Sequence, residues 1–311
     1  MAADIFSLIG NTPLIELKSC SPKPGIRLFA KLEGMNPSGS VKDRIVAYML
    51  QQARADGRLK PGQEVVEAST GNTGIALAMI GRALGHPVRI VLPHTVFSDV
   101  TRALQAYEPQ IEWVPAAMGI KSAVDVAREI ASRDGAFLLN QFGSADNPRC
   151  HYESTALEII QQLPEVDVFA CGLGTGGTAS GVGRRLKEHN PALQLVAAEP
   201  HPGAHVQGIH SLEDGFIPAN LNLNMLDARI LVRSVSAFRA ARELLRREGL
   251  LAGLSSGAVL HAVLKWAQRI DRGNIVMLFA DSGWKYLNSP AFVLDAPLED
   301  DQETLDDVLW W

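Results

Sequence analysis

Short apolar runs rich in β-branched residues alternate with helical patterns along nearly the whole chain of 311 residues. Such runs are typical of strands buried on both faces, and the helical patterns between them supply the crossovers that parallel strands need. The predicted strands cover residues 64–68, 88–92, 111–114, 167–171, 193–198, 230–232 and 275–280. The predicted helices cover residues 73–84, 98–107, 122–132, 155–162, 179–188, 237–248 and 258–269, with an earlier helix near Lys42. The sequence therefore predicts an α/β protein with parallel sheets.

The composition narrows the classes of function. With 47% hydrophobic and 20% charged residues, the chain has enough apolar residues for a large core, in two domains or one large one. The net charge of −5 argues against nucleic acid or an anionic membrane as a partner. The three cysteines, Cys20, Cys150 and Cys171, are widely spaced, which argues against a disulfide framework or a zinc site. No export signal or membrane span is evident, so we expect a cytoplasmic protein that binds no metal.

Lys42 lies where a reactive amine is expected. Ser40 is predicted to cap the helix that follows, with Asp43 as its partner in a capping box. The positive end of the helix dipole disfavours an ammonium ion, which makes a neutral amine that could form a Schiff base less costly. A solvated surface lysine is the alternative interpretation of this segment alone.

Three predicted strands end in loops of small residues, at 69–74, 172–178 and 253–257. Each loop could present backbone N–H groups to an anion, and the carboxyl ends of parallel strands tend to share one crevice. The second loop also fits a dinucleotide fingerprint, with Glu199 as its acidic residue. The third fits a hydrolase nucleophile elbow, but only His261 follows Ser255, so we expect no hydrolase. The long polar segment 200–224 is a further functional candidate.

Taken together, six segments resemble the cysteine synthase family. They are 9–14, 36–44, 71–74, 141–142, 174–178 and 255–257, and they occur in that family's order. The resemblance implies the pyridoxal-phosphate fold type II, which is tryptophan synthase β-like, with two parallel-sheet domains and the active site between them. It implies a larger domain from residues 1–40 and 149–311, ending in a tail at 294–311, and an inserted smaller domain at 41–148 that closes over substrate. It also implies a homodimer.

The resemblance assigns roles to individual residues. Lys42 matches the lysine that holds pyridoxal 5'-phosphate as a Schiff base, Asn72 matches the residue at the 3'-oxygen, and Ser255 matches the hydroxyl facing the pyridine nitrogen. The phosphate loop corresponds to Gly174, Thr175, Gly176, Gly177 and Thr178. The substrate-binding positions correspond to Ser69, Thr70, Asn72, Thr73 and Gln141, with His210 nearby. The order Ser69-Thr70 departs from the usual Thr-Ser, which affects the fit of substrate.

The activity implied is β-replacement, in which O-acetyl-L-serine and sulfide give L-cysteine and acetate, with Lys42 as the base. The acidic tail ending in Trp310 and Trp311 is instead similar to enzymes that use O-phosphoserine and a thiocarboxylated sulfur-carrier protein. Those enzymes carry an arginine where this chain has His210, and a histidine cannot reproduce that bidentate phosphate contact. We therefore favour O-acetylserine, with O-phosphoserine as the alternative. A cystathionine-forming enzyme and an inactive relative are further alternatives.

Overall fold

The computed structural model describes residues 4–69, 71–94, 98–115, 119–293 and 308–310. Their strands are β1 Leu14–Glu16, β2 Ile26–Leu32, β3 Val65–Ala68, β4 Val88–Pro93, β5 Gln110–Val114, β6 Phe137–Leu138, β7 Val168–Gly172, β8 Gln194–Pro200, β9 Ala228–Val232, β10 Gly273–Phe279 and β11 Val308–Trp310. Their helices are α1 Lys42–Ala55, α2 Asn72–Ala83, α3 Ser98–Gln105, α4 Gly119–Asp134, α5 Asp146–Glu153, α6 Thr155–Gln162, α7 Gly177–His189, α8 Ser234–Glu248 and α9 Leu254–Trp266.

The strands form two sheets. The first is seven-stranded in the order β1-β2-β10-β7-β8-β9-β11, and the second is four-stranded in the order β5-β4-β3-β6. All pairs in the second sheet are parallel, and the first has a parallel centre with antiparallel strands at its two edges. This arrangement confirms the predicted α/β class with parallel sheets.

The central strands are apolar along their length because helices cover both faces of the sheets. β7 and β10 have buried runs through Val168–Cys171 and Ile275–Phe279. Burying such strands between helices is the main favourable contribution to the stability of this fold.

Within the described residues, four strands (β1, β2, β6 and β11) and one helix (α5) were not predicted from the sequence. β2 contains Arg27 and Lys31, which interrupt its apolar run, and α5 begins with the polar residues Asp146-Asn147-Pro148. The other strands and helices are present as predicted, with ends shifted by a few residues. No helix in the described ranges has the length and apolar character needed to cross a membrane.

The tail meets the first sheet through its backbone. Val308–Trp310 pairs antiparallel with β9, and Trp310 lies opposite Ala228, the first residue of that strand. Trp311 lies outside the described residues. The backbone of β11 therefore lies at a sheet edge, beside the amino end of β9.

Candidate active site

Lys42 is held at the carboxyl end of β10. The Val41 N–H donates to the carbonyl of Ala280 at 2.8 Å, and Ser40 forms an isolated bridge with Asp281. The Lys42 N–H donates to Ser40 Oγ at 3.3 Å, which leaves the start of α1 tied to the centre of the first sheet. The lysine predicted from the sequence therefore lies at the strand ends where the loops of small residues meet.

The predicted capping box is wrong. The Asp43 carboxylate does not accept from the Ser40 N–H; it accepts from the Ser38 N–H at 2.7 Å and from the Ser38 hydroxyl. The reason is the turn at Gly39, whose φ of +82° brings Ser38 back over the first turn of α1. Asp43 thereby fixes the loop in front of Lys42.

Burial lowers the pKa of the Lys42 amine below its ordinary value. The carboxylate of Asp281 acts in the opposite direction, and the ammonium group of Lys285 lowers the pKa further. A larger fraction of the Lys42 amine is therefore neutral near pH 7 than for a lysine in water, as a nucleophile or base requires.

A cleft with about 510 Å³ of empty space, part of it open to solvent, lies between elements of the two sheets. Its lining includes the predicted site residues Lys42, Ser69, Asn72, Thr73, Gln141, Gly174, Thr175, His210 and Ser255. An adjoining cavity shares Lys42 and Ser255 and adds Gly176 and Thr178. Most of the predicted site residues thus meet in one place; Thr70 lies outside the described residues.

The loop before α7 is built for close approach of its backbone. Gly176 has a φ of +80°, and a Cβ there would lie within 2.7 Å of backbone atoms of Leu221. A Cβ on Gly174 would lie 2.8 Å from the carbonyl oxygen of Gly208. The first N–H groups of a helix lack helical acceptors, so the start of α7 can bind an anion beside Lys42.

Gly177 has a different place from its neighbours in this loop. It is buried behind the loop, and a Cβ there would lie 1.9 Å from Asn147 Oδ1. Gly177 therefore does not line the cavity, whereas Gly176 and Thr178 on either side of it do.

Two residues of α5, neither of them predicted from the sequence, support the loop before α7. Asn147 Nδ2 donates to the carbonyl of Gln141 at 2.7 Å and to Thr175 Oγ1 at 3.0 Å. His151 Nε2 lies 3.3 Å from Thr178 Oγ1, and burial lowers the pKa of His151 to about 3. A neutral imidazole adds no charge beneath the loop. No local motif in the sequence indicates this role, because Asn147 contacts Thr175 across 28 residues of the chain.

Ser69 and Gln141 are fixed by hydrogen bonds on the other side of the cleft. Ser69 Oγ accepts from the N–H groups of Gly71 at 3.0 Å and Gly74 at 2.9 Å, which caps α2. Gln141 Oε1 accepts from Thr73 Oγ1 at 2.6 Å, and Gln141 Nε2 donates to the carbonyl of Ala68 at 2.7 Å. These polar groups are neutral and held in defined orientations.

Beneath them lies the buried carboxyl group of Glu67. It accepts from the N–H groups of Ala68 at 2.9 Å and Gln141 at 3.0 Å. Burial nevertheless raises the pKa of Glu67 to about 7. Glu67 was not singled out in the sequence, because an acidic residue inside a predicted strand gives no sign of which backbone it will contact.

His210 faces the cleft from the long segment 200–224. The backbone N–H of His210 donates to the carbonyl of Leu173 at 2.8 Å, next to the glycine-rich loop. Burial lowers the pKa of His210 to about 4, and the charge of Lys42 lowers it too. The imidazole is consequently neutral near pH 7.

Glu199 does not have the ribose-binding role that a dinucleotide fingerprint would give it. It is buried, its Oε1 accepts from the Leu212 N–H at 2.7 Å, and it pairs with Arg229 at 3.2 Å. The carboxylate is occupied in holding the segment that carries His210. The dinucleotide alternative is therefore wrong.

A lysine and a glycine-rich anion loop between two largely parallel sheets define a class of α/β enzymes, the pyridoxal-phosphate fold type II. Residues 5–281 match the family described as "Pyridoxal-phosphate dependent enzyme". The chain belongs to this family, which confirms the resemblance seen in the sequence and the predicted cofactor.

The similar proteins include enzymes of cysteine metabolism. A cysteine synthase from Staphylococcus aureus is 36% identical over 305 residues, which cover 94% of this chain and 97% of that relative. The structure of O-ureido-L-serine synthase is similar with a TM-score of 0.89 at 32% identity, covering 96% of this chain and 97% of that one. A cysteine synthase structure from Entamoeba histolytica has a TM-score of 0.86 at 33% identity, covering 94% of this chain and 91% of that one.

Proposed function

We propose that this protein is a cysteine synthase that converts O-acetyl-L-serine and sulfide to L-cysteine and acetate. The observation that carries the proposal is the meeting of Lys42, the 174–178 loop and Ser255 in one cleft. The similarity to cysteine synthases over most of the chain supports it.

The residues of the cleft fit pyridoxal 5'-phosphate. Lys42 would hold its aldehyde carbon, and the backbone around Gly174, Thr175, Gly176, Gly177 and Thr178 would hold its phosphate. Asn72 would bind the 3'-oxygen and Ser255 the ring nitrogen. The close approaches at Gly174 and Gly176 leave backbone rather than side chains facing the anion. When bound, this cofactor supplies an electron sink for negative charge at the substrate Cα.

The chain's own groups then bind substrate and move a proton. Ser69, Thr70, Asn72, Thr73 and Gln141 bind the substrate carboxylate through neutral donors. Lys42 Nζ, once released, removes the proton from Cα as general base, and its lowered pKa favours the neutral form needed for that step. The Cβ–O bond breaks, acetate leaves, sulfide forms the new Cβ–S bond, and Lys42 Nζ returns a proton to Cα. Ser255 offers the ring nitrogen a hydroxyl rather than a carboxylate, which suits elimination over longer-lived carbanion chemistry.

The neutral state of His210 favours O-acetylserine, which releases acetate, over O-phosphoserine, which releases phosphate. A phosphate dianion is best bound by charged, bidentate donors, and an imidazole with a pKa of about 4 supplies neither near pH 7. O-phosphoserine with a thiocarboxylated sulfur-carrier protein is therefore the second candidate.

We propose the organisation that goes with this activity. The smaller domain, residues 41–148, contains the four-stranded sheet and would close over substrate against the larger one, residues 1–40 and 149–311. The protein would act as a homodimer in the cytoplasm on small-molecule substrates.

The test is a direct assay of the full chain loaded with pyridoxal 5'-phosphate. O-Acetyl-L-serine plus sulfide should give L-cysteine, with a larger kcat/KM than O-phospho-L-serine under the same conditions. A protein that forms cysteine faster from O-phosphoserine would contradict the leaving group, and one that forms cysteine from neither would contradict the activity.

A further inference from the structure

A second lysine, Lys285, contacts the turn in front of Lys42 and a residue that lines the cleft. Lys285 Nζ donates to Asn72 Oδ1 at 2.7 Å and to the carbonyl of Gly39 at 3.2 Å. Lys285 follows β10, whereas Asn72 begins α2, so this contact joins the elements of the two sheets. Gly39 belongs to the turn in front of Lys42, and Lys285 therefore touches both sides of the site.

The neighbours of Asn72 fix the orientation of its amide. An ammonium group only donates hydrogen bonds and an ionised carboxylate only accepts them. Lys285 must therefore face Oδ1, and Asp281 Oδ2 accepts from Nδ2 at 2.7 Å. The amide nitrogen carries two hydrogens, of which one goes to Asp281. The other can be shared between Tyr286, which also interacts with the Asn72 side chain, and an acceptor in the cleft that Asn72 lines.

The charge of Lys285 also acts on Lys42. Burial lowers the pKa of Lys285, while the carboxylates of Asp281 and Asp43 support its charged form. Asp281 favours the charged form of Lys42 as well, and Lys285 opposes that effect. Among the described residues, His151 and His210 also interact with Lys42, and their lowered pKa values keep them neutral near pH 7.

We propose that Lys285 is a positioning residue that sets the Asn72 amide toward the cofactor's oxygen and, through its contact with Gly39, places a positive charge at the turn in front of Lys42. The proposal rests on the proposed function, since it assigns Asn72 and Lys42 their roles toward pyridoxal phosphate. A merely structural link between Gly39 and α2 would not change the titration of Lys42.

Two substitutions separate the two effects. Lys285→Met removes both the charge and the donor, whereas Lys285→Gln removes the charge and keeps a donor for Asn72 Oδ1. Lys60→Met is the matched control, because Lys60 is exposed and lies outside the cleft. Circular dichroism checks that each variant is folded.

The first readout is the pKa of Lys42 in the full chain without cofactor, from competitive acetylation across pH and mass spectrometry of its peptide. Both Lys285 variants should raise this pKa by about half a unit or more, because a nearby positive charge is lost. The second readout is the Kd for pyridoxal phosphate. It should weaken about tenfold in Lys285→Met, the cost of one misaligned hydrogen bond, and less in Lys285→Gln.

An unchanged Lys42 titration in both Lys285 variants would overturn the electrostatic role. Equal cofactor affinities in wild type, Lys285→Met and Lys285→Gln would overturn the orienting role. Failure of the wild-type chain to bind pyridoxal phosphate would instead contradict the proposed function, and the acetylation readout distinguishes that case because it needs no cofactor.

Discussion

The guanidinium of Arg44 donates two hydrogen bonds to the carboxylate of Glu158, each 2.7 Å long. Arg44 also pairs with Glu33 at 2.6 Å, and Lys31 pairs with Glu158 at 2.7 Å. Since Arg44 follows Lys42 on α1, this buried network fastens the lysine-bearing helix to α6 and to the start of the chain.

Arg44→Met should lower the free energy of unfolding by about 3–5 kcal/mol, because the buried carboxylate of Glu33 would lose its cation and Glu158 would keep only Lys31. Urea denaturation measures this loss. Arg184→Met is the control, since Arg184 pairs with Glu188 on an exposed helix face and should matter far less. Similar losses of unfolding free energy in the two variants would show that the buried network stabilises the fold no more than an exposed ion pair does.

The same network should make stability depend on pH in acid. Burial alone would raise the pKa of Glu158, but Arg44, followed by Lys31, lowers it to about 2. A lowered folded-state pKa means that the contribution is complete above the ordinary carboxyl pKa and is lost as the pH falls toward about 2. The stability difference between wild type and Glu158→Gln should therefore shrink as the pH falls below about 4.5.

Gly176→Ala should abolish tight binding of pyridoxal phosphate and destabilise the fold, because its Cβ would collide with the Leu221 backbone. Gly203→Ala is the matched control: Gly203 also has positive φ, +76°, but a Cβ there meets nothing within 4 Å. It should cost only about 1–2 kcal/mol of backbone strain. Cofactor titration and thermal unfolding measure both effects, and equal cofactor affinities would contradict the close approach.

Glu67→Gln should flatten the pH dependence of stability near neutrality. The pKa of Glu67 is raised to about 7, so the folded state holds a proton that the unfolded state releases near pH 4.5. Its stabilising contribution is full below that pH and is lost as the pH rises through about 7. Wild type should therefore lose more stability than Glu67→Gln between about pH 5 and pH 8 in urea denaturation.

Glu64→Gln is the control for Glu67, since Glu64 pairs with Arg89 near the surface of the same sheet. Glu64→Gln should lose as much stability as the wild type when the pH rises from about 5 to about 8. Parallel pH profiles for wild type and Glu67→Gln would show that Glu67 stays ionised in the fold.

His210→Arg should shift the substrate preference toward O-phosphoserine. An arginine supplies the permanent charge and paired donors that the neutral imidazole lacks. The ratio of kcat/KM for O-phosphoserine to that for O-acetylserine should rise by at least about tenfold, since charge-assisted hydrogen bonds are worth about 1.5–3 kcal/mol. An unchanged ratio would mean that His210 does not face the leaving group.

The features of this protein that depend on local sequence patterns could be predicted from the sequence. Buried strands such as β7 and β10 are continuous apolar runs, and Lys42 and the loop before α7 carry recognisable motifs. The cleft could also be anticipated, because the carboxyl ends of parallel strands lie at one edge of a sheet.

The residues that support the site could not be predicted, because their roles depend on contacts distant in sequence. Asn147 reaches Thr175, Lys285 reaches Asn72, and Glu199 holds the segment of His210 only after the chain has folded. The capping box failed for a related reason: Asp43 had a better partner in Ser38, and the turn at Gly39 that brings it there has no unique sequence signature.

The most direct test of this account is the site of attachment of pyridoxal phosphate. Borohydride reduction of the loaded protein, followed by peptide mass mapping, should place the cofactor on Lys42 alone. The same treatment of Lys42→Ala should give no peptide with covalently attached cofactor. Attachment at Lys285 or Lys31, or no attachment at all, would contradict the central role of Lys42.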